Sequence, residues 1–274
     1  MTILLKTHET GTAGVNLETL RNKEGFICDM DGVIYHGNRL LPGVHALIDW
    51  FKAEKKKFLF LTNSSERSPR ELSEKLARLG IEVGARHFYT SAQATASFLA
   101  SQRPGGSAYV IGEAGLINAL YEAGFSMNEV SPDYVVVGET RSYSYEKIER
   151  AVILVQNGAK LIGTNPDLTD SMGKGIVPAT GALIAPIEMA TGIKAYFLGK
   201  PNPLMMRHGR KMLGCTRKQT AIIGDRMETD IIAGIHSGMD TVLVLSGVTA
   251  EADLEKYAYH PKYVLPGVGN LPPV

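Results

Sequence analysis

Short apolar runs recur along the chain, each followed by a polar or glycine-bearing loop and then by an amphipathic stretch. Phe26 to Met30 (FICDM) and Phe58 to Leu61 (FLFL) read as buried strands, the second entering the polar loop Thr62-Asn63-Ser64-Ser65. A helix then starts with Ser68 as N-cap, Pro69 in the first turn and Glu71 three residues after the cap, and Gly80 stops it. The pattern repeats as strand Tyr109 to Ile111, helix Leu116 to Ala123 and Gly124. Strand Tyr134 to Val137 is followed by helix Tyr145 to Gln156 and Gly158. Towards the C-terminus, strand Thr220 to Ile223 leads through Gly224-Asp225 into helix Thr229 to His236, and strand Thr241 to Leu245 follows.

Strands alternating with helices predict an α/β protein with parallel sheets covered on both faces. In such sheets ligands bind beyond the carboxyl ends of the strands. Asp29 and Asp31, Thr62 and Asn63, and Asp225 all stand at such ends. Residues 1–22 have no clear period and read as an N-terminal arm.

Composition narrows the class. Hydrophobic residues are 44% and charged residues 21% of 274, which excludes a disordered chain. Lys and Arg exceed Asp and Glu by 29 − 28 = +1, so the whole chain has no electrostatic footprint for a nucleic acid polymer or an anionic membrane. Lys55-Lys56-Lys57 is the one tight basic run and reads as a solvated helix end. Cys28 and Cys215 are too few for a disulfide framework or a usual zinc site, and Cys28 reads as a small buried hydrophobe. The apolar start of the chain is too short for a signal peptide, and no run approaches a spanning helix. A cytoplasmic protein is expected.

The chain lacks G-x-G-x-x-G after a strand, G-x-x-x-x-G-K-[ST], G-x-S-x-G and H-E-x-x-H. What stands out is Asp29-Met30-Asp31-Gly32. Two carboxylates at the end of a buried strand are costly unless a cation or hydrogen-bond donors balance them. Mg²⁺ suits such oxygen ligands, and a carboxylate can also serve as a nucleophile. The alternative is a turn in which both acids cap backbone N–H groups. Thr62 and Asn63 offer donors to phosphoryl oxygens, or cap the next turn. Lys200 is fixed in Gly199-Lys200-Pro201. Asp225 fits a metal ligand and Asp230 a group that orients the site from behind, with a helix N-terminal acid as the other reading.

Together D-x-D-G, h-h-h-T-N, the isolated Lys before Pro and G-D-x-x-x-T-D resemble the four motifs of the haloacid dehalogenase superfamily of phosphatases. Phe60-Leu61-Thr62-Asn63, Val137-Gly138-Glu139-Thr140-Arg141, Thr164-Asn165-Pro166-Asp167 and Leu245-Ser246-Gly247-Val248 narrow the resemblance to its NagD type. That type includes nucleotide monophosphatases and p-nitrophenyl phosphatases. The resemblance runs from about Gly25 to about Leu265. It implies that Asp29 attacks phosphorus to form an aspartyl phosphate. Asp31 would act first as general acid and then as general base. Thr62 and Lys200 would hold phosphoryl oxygens, with the Asn63 amide nearby. Mg²⁺ would be bound by Asp29, the backbone carbonyl of Asp31 and Asp225, with Asp230 supporting.

The interval between Thr62 and Lys200 holds at least three strand–helix units, too many for a loop. The resemblance implies a Rossmann-like core, residues 23–103 and 194–274, with an inserted α/β cap, residues 104–193. Arg103-Pro104-Gly105-Gly106 and Thr191-Gly192 read as its hinges. Asn165, Asp167 and Arg141 from the cap, and Arg226 and Thr229 at the core's rim, are candidate substrate contacts. His36 reads as a loop histidine. The expected function is a Mg²⁺-dependent phosphomonoesterase whose partner is a small phosphorylated metabolite. Nucleoside 5′-monophosphates such as UMP and GMP come first, then sugar phosphates, phosphoglycolate and aryl phosphates. Two readings of another class remain open, a phospho-acceptor signalling domain and a non-catalytic phospho-ligand-binding protein. A homodimer through the caps is a further expectation from the resemblance.

Overall fold

The computed structural model describes residues 17–172 and 175–273. Its larger sheet has six strands in the order Tyr263–Leu265, Asp240–Val244, Thr220–Gly224, Gly25–Cys28, Lys57–Thr62 and Phe88–Thr90, with every neighbouring pair parallel. A second parallel sheet runs Tyr196–Phe197, Lys160–Gly163, Tyr134–Val137, Ser107–Ile111 and Ser126–Met127. Helices flank both, which gives the expected α/β architecture of a Rossmann-like core carrying an α/β cap.

Side chains in the central core strands alternate between two hydrophobic layers, as the period of two along a strand requires. Phe26, Cys28, Phe58 and Phe60 join Trp50 and Phe51 on one face, while Ile27, Leu59 and Leu61 meet Met205, Met206 and Ile222 on the other. Phe51 stacks between Phe26 and Phe58, with ring centroids 5.0 and 5.2 Å away. Cys28 is a free, fully buried thiol, and burial pushes its pKa up so that it stays protonated. The helix Pro69–Arg78 begins as its sequence predicts: the Ser68 hydroxyl accepts the Glu71 N–H, and the Glu71 carboxylate accepts the Ser68 N–H at 2.7 Å. Gly80, at φ +88°, follows its end.

Several local readings change. The first strand stops at Cys28 rather than Met30. Asp29 N–H still bonds Ile223 O at 2.8 Å, but the Met30 carbonyl turns inward to accept the Ile34 N–H at 2.8 Å. The helix expected from Thr229 opens as a wide turn, Met227–Ile231, whose Ile231 N–H reaches back to Arg226 O at 3.2 Å, before Ile232–Ser237 continues it. Two antiparallel hairpins lacked a sequence signal, Tyr35–His36 with Arg39–Leu40 and Thr169–Met172 with Gly175–Pro178.

The segment boundaries also move. Residues 1–16 of the expected arm lie outside the described residues, but residues 17–22 are not an arm. They form the short helix Glu18–Arg21, with Leu20 fully buried in the core. The Arg21 guanidinium donates to the carbonyls of Leu271 and Pro272 at 2.9 and 3.1 Å, tying this turn to the far end of the chain. The cap does not end at residue 193, because Tyr196–Phe197 is an edge strand of the cap sheet. Thr191-Gly192 is therefore no hinge; Gly192, at φ +72°, terminates a helix within the cap. The second crossing into the core falls at Leu198–Lys200. Among the described residues no helix is long and apolar enough to cross a membrane.

Leu20→Ala tests whether this first turn belongs to the core. Loss of a fully buried leucine is expected to cost about 2–5 kcal/mol in denaturant unfolding, whereas a frayed arm would give a change near zero.

Candidate active site

The parallel register builds the site. Cys28 pairs with Phe60 on one side and Ile223 on the other, so the residues that follow each of them emerge together at one edge of the sheet. These are Asp29, then Leu61 and Thr62, then Gly224 and Asp225. Lys200 enters from the crossing out of the cap. Its buried Nζ donates to Asp29 Oδ1 and to Asp230 Oδ1, both at 2.6 Å, and to Leu61 O at 3.4 Å. The wide turn at Met227–Ile231 delivers Asp230 to this point, where its other oxygen, Oδ2, accepts the Arg226 N–H at 3.2 Å.

Asp29, Asp225 and Asp230 can each offer an oxygen within 4.8 Å of the others. Fully ionised, three carboxylates against the Lys200 ammonium would leave two negative charges in a largely buried place, which the half-buried Arg226 guanidinium offsets only from the side. The pKa directions express that imbalance. Burial first, then Asp230 and Asp225, push Asp29 up to about 8 against the pull of Lys200. Burial and Asp230 push Asp225 up to about 6. Burial alone would lower the Lys200 pKa, but Asp230 and Asp29 outweigh it and hold the ammonium charged.

One buried oxygen of the cluster has no hydrogen-bond partner among the described residues. Asp225 Oδ2 accepts the Val248 N–H at 2.7 Å, but its buried Oδ1 has no hydrogen bond. Two glycines make the cradle around this carboxylate: a Cβ on Gly32 or Gly247 would lie 2.4 or 2.0 Å from Asp225 Oδ2. An orphaned carboxylate oxygen, a deficit of two positive charges and an all-oxygen donor set fit a hard divalent cation.

Asp31 lies at the mouth, half-exposed, and burial raises its pKa. His36 Nδ1 stands 3.3 Å from Asp31 Oδ1 while its Nε2 stands 2.9 Å from Ser246 O. His36 is therefore more than a loop histidine: it braces Asp31. Its proximity to Asp31 in sequence was visible, but the hairpin that turns it back was not.

The remaining residues divide. Thr62 is buried at the strand end, its hydroxyl accepting the Ser64 N–H at 3.1 Å. Arg226 lies in the field of Asp167, Asp225 and Asp29, which raise its pKa although burial alone would lower it. Asn63, Asn165 and Thr229, expected as substrate contacts, are buried with polar atoms engaged by the protein. Asn63 Oδ1 accepts the Lys200 N–H at 2.7 Å, and its Nδ2 donates to Lys200 O at 3.0 Å and Asp167 Oδ2 at 2.9 Å. Asn165 Nδ2 donates to Asn63 O at 2.8 Å, and its Oδ1 accepts the Asp167 N–H at 3.1 Å. The Thr229 hydroxyl lies 3.5 Å from Asp230 Oδ2. In this structure these three hold Lys200, Asp167 and Asp230. Arg141 is exposed on the cap.

Acids at adjacent ends of parallel strands, with a lysine buried against them, stand where enzymes of the α/β class bind their ligands. Family models agree: residues 26–126 match the haloacid dehalogenase-like hydrolases, and residues 197–271 match the HAD-hydrolase-like model. The chain is 42% identical over 246 residues to dihydroxyacetone phosphatase of Corynebacterium glutamicum, covering 90% of each protein. It is 41% identical over 245 residues to ribonucleotide monophosphatase NagD of Escherichia coli, covering 89% of this chain and 96% of that one. The solved structure of that NagD superposes with a TM-score of 0.85 at 40% identity, covering 90% and 98% of the two chains. An acid sugar phosphatase of Staphylococcus saprophyticus is 36% identical over 253 residues, 92% of this chain and 98% of the relative. The chain belongs to the haloacid dehalogenase-like hydrolases and is a phosphatase of the NagD type.

Because the folded pKa of Asp225, about 6, lies above its ordinary value of 3.8, the metal-free folded state holds an extra proton between the two. Its stability therefore falls as pH rises through that window. Asp225→Asn removes the uncompensated charge while keeping an acceptor for Val248. Without metal at pH 7.5, its Tm is expected to rise by a few degrees, about 2–4 °C per kcal/mol in a protein of this size. Wild type is expected to gain Tm on addition of Mg²⁺, and the variant is not. A variant less stable than wild type at pH 7.5 would contradict the charge account.

Proposed function

We propose that this phosphatase hydrolyses small phosphomonoesters through an aspartyl phosphate on Asp29 and requires Mg²⁺. The observation that carries the proposal is the buried, unpartnered Asp225 Oδ1 beside an acid cluster short of two positive charges. Asp29, Asp225 and the carbonyl of Asp31 would hold the ion, with Asp230 behind. Bound there, Mg²⁺ would neutralise charge on the phosphoryl oxygens as a Lewis acid.

The chain's own groups account for the rest. Lys200, fixed as an ammonium, attracts the phosphate and offsets the repulsion between it and the Asp29 carboxylate. An Asp29 oxygen attacks phosphorus, the bond to the leaving oxygen breaks, and Asp31 gives that oxygen its proton. The raised pKa of Asp31 suits it to carry that proton. Asp31, now a carboxylate braced by His36, takes a proton from water. The resulting hydroxide attacks phosphorus, phosphate leaves, and Asp29 is regenerated. Thr62, at the end of the neighbouring strand, would hold a phosphoryl oxygen.

For the leaving group, nucleoside 5′-monophosphates are the first reading, supported by the likeness to E. coli ribonucleotide monophosphatase NagD. Three-carbon and sugar phosphates are the second, supported by the equally similar dihydroxyacetone phosphatase of C. glutamicum. The cap hairpin at Thr169–Met172 brings Asp170 into the electrostatic field of Asp31 and Lys75, so this hairpin is the element we expect to read the leaving group.

Phosphate release from UMP, GMP, dihydroxyacetone phosphate, sugar phosphates, phosphoglycolate and p-nitrophenyl phosphate, with Mg²⁺ or EDTA, tests both levels. Turnover is expected only with Mg²⁺ and should fall at least about 10⁴-fold in Asp29→Asn. Equal turnover in that variant would sink the nucleophile assignment. The ranking of substrates decides between the two leaving-group readings.

A further inference from the structure

Glu139 stands two residues beyond the cap strand Tyr134–Val137, much as Asp29 stands just beyond the core strand Gly25–Cys28. Its carboxylate has no cation beside it among the described residues. Instead three donors converge on it. Oε2 accepts the Ser65 N–H at 2.9 Å and the Ser65 hydroxyl, and Oε1 accepts Asn165 Nδ2 at 2.6 Å. The Glu139 N–H returns a bond to the Ser65 hydroxyl oxygen at 3.3 Å.

Both partners lead into the site. Ser65 closes the loop that begins at Thr62 and Asn63. Asn165 also holds the Asn63 carbonyl, which in addition accepts the Ser91 hydroxyl. The Asn63 side chain clasps the Lys200 N–H and C=O. A continuous line of hydrogen bonds thus runs from the Glu139 carboxylate through Asn165 and Asn63 to the backbone of the lysine that pairs with Asp29.

The approach of cap to core here has no slack. A Cβ on Gly138 would stand 2.5 Å from the Ser65 hydroxyl oxygen. One on Gly199 would stand 2.7 Å from both Asn63 Oδ1 and Thr164 O. Glycine at these two places lets the backbones meet, and Glu139 fills the polar gap between them. Such contacts suit a cap seated on the motif loops and leave little room for a freely swinging lid.

We infer that Glu139 is a positioning residue for phosphoryl transfer, a cap carboxylate that sets the place of Lys200 through Ser65, Asn165 and Asn63. The inference rests on the reading of Lys200 as a phosphate-binding group. A glutamine at 139 offers one acceptor where three donors converge and turns its own N–H₂ against them, so the line should break without loss of volume.

The test compares wild type, Glu139→Gln, Ser65→Ala and Asp29→Asn on p-nitrophenyl phosphate and UMP at saturating Mg²⁺. Amide hydrogen exchange at Lys200 is followed in the same proteins. Glu139→Gln is expected to lower kcat by a common factor, tenfold or more, on both substrates, with KM moving less than threefold. The Lys200 amide, donated to Asn63, should lose at least tenfold in protection. Ser65→Ala, a milder deletion that folds even if the first variant does not, should move both readouts in the same direction by a smaller factor. Wild-type kcat and wild-type Lys200 protection in Glu139→Gln, whatever its Tm, would overturn the inference, as would a loss confined to the KM of one substrate. Full turnover in Asp29→Asn would instead overturn the reading of the site, and the exchange arm would still decide whether Glu139 positions Lys200.

Discussion

Three crowded carboxylates face one ammonium, and much of this protein is arranged around that imbalance. Asp29 and Asp230 each take a 2.6 Å bond from Lys200, while Asp225 keeps an oxygen that no donor reaches. Buried charge without full compensation is costly, and the upward pKa shifts of Asp29 and Asp225 register that cost. The cluster is destabilising in itself, and its arrangement makes sense for a site that completes itself with a divalent cation and an anionic substrate. Such stability–function tension is common at sites that do chemistry.

Holding the cluster together falls to the sheet and to close backbone approaches. Parallel register aligns the strand ends, so no loop needs to reach far to bring Asp29 beside Asp225. Gly32 and Gly247 admit the Asp225 carboxylate, and a side chain at either would occupy its place. The cap contributes from above: Asn165 and Asp167, from the end of its strand Lys160–Gly163, tie into Asn63, and Asn63 into Lys200. The cap is thus part of the scaffold that holds Lys200 against the acid cluster.

The α/β class, most strand positions and the gathering of Asp29, Lys200, Asp225 and Asp230 were legible in the sequence, for a physical reason. An acid just after a buried apolar run is costly, so its presence signals a compensating partner. The bonds that Asn63, Asn165 and Thr229 make to Lys200, Asp167 and Asp230 were not legible, because an amide or hydroxyl that holds a neighbour and one that holds a ligand look alike in a sequence. Tyr196–Phe197, a strand of two residues, was too short to carry a period, so the end of the cap was set too early. Leu20 was hidden for a similar reason, since a single helical turn leaves no repeat. His36 meets Ser246 and Glu139 meets Ser65 across 210 and 74 residues of chain, contacts that only the folded chain supplies.

Proton release on metal binding tests the central claim most directly, because the account ties cation, carboxylates and charge deficit in one quantity. Titration of Mg²⁺ into the protein at pH 6.5, by calorimetry in buffers of different ionisation enthalpy, counts the protons displaced. With Asp29 raised to about 8 and Asp225 to about 6 in the metal-free protein, binding should release about one proton. Asp225→Asn should remove the binding heat. Saturable Mg²⁺ binding without proton release, or binding that survives in Asp225→Asn, would contradict the account.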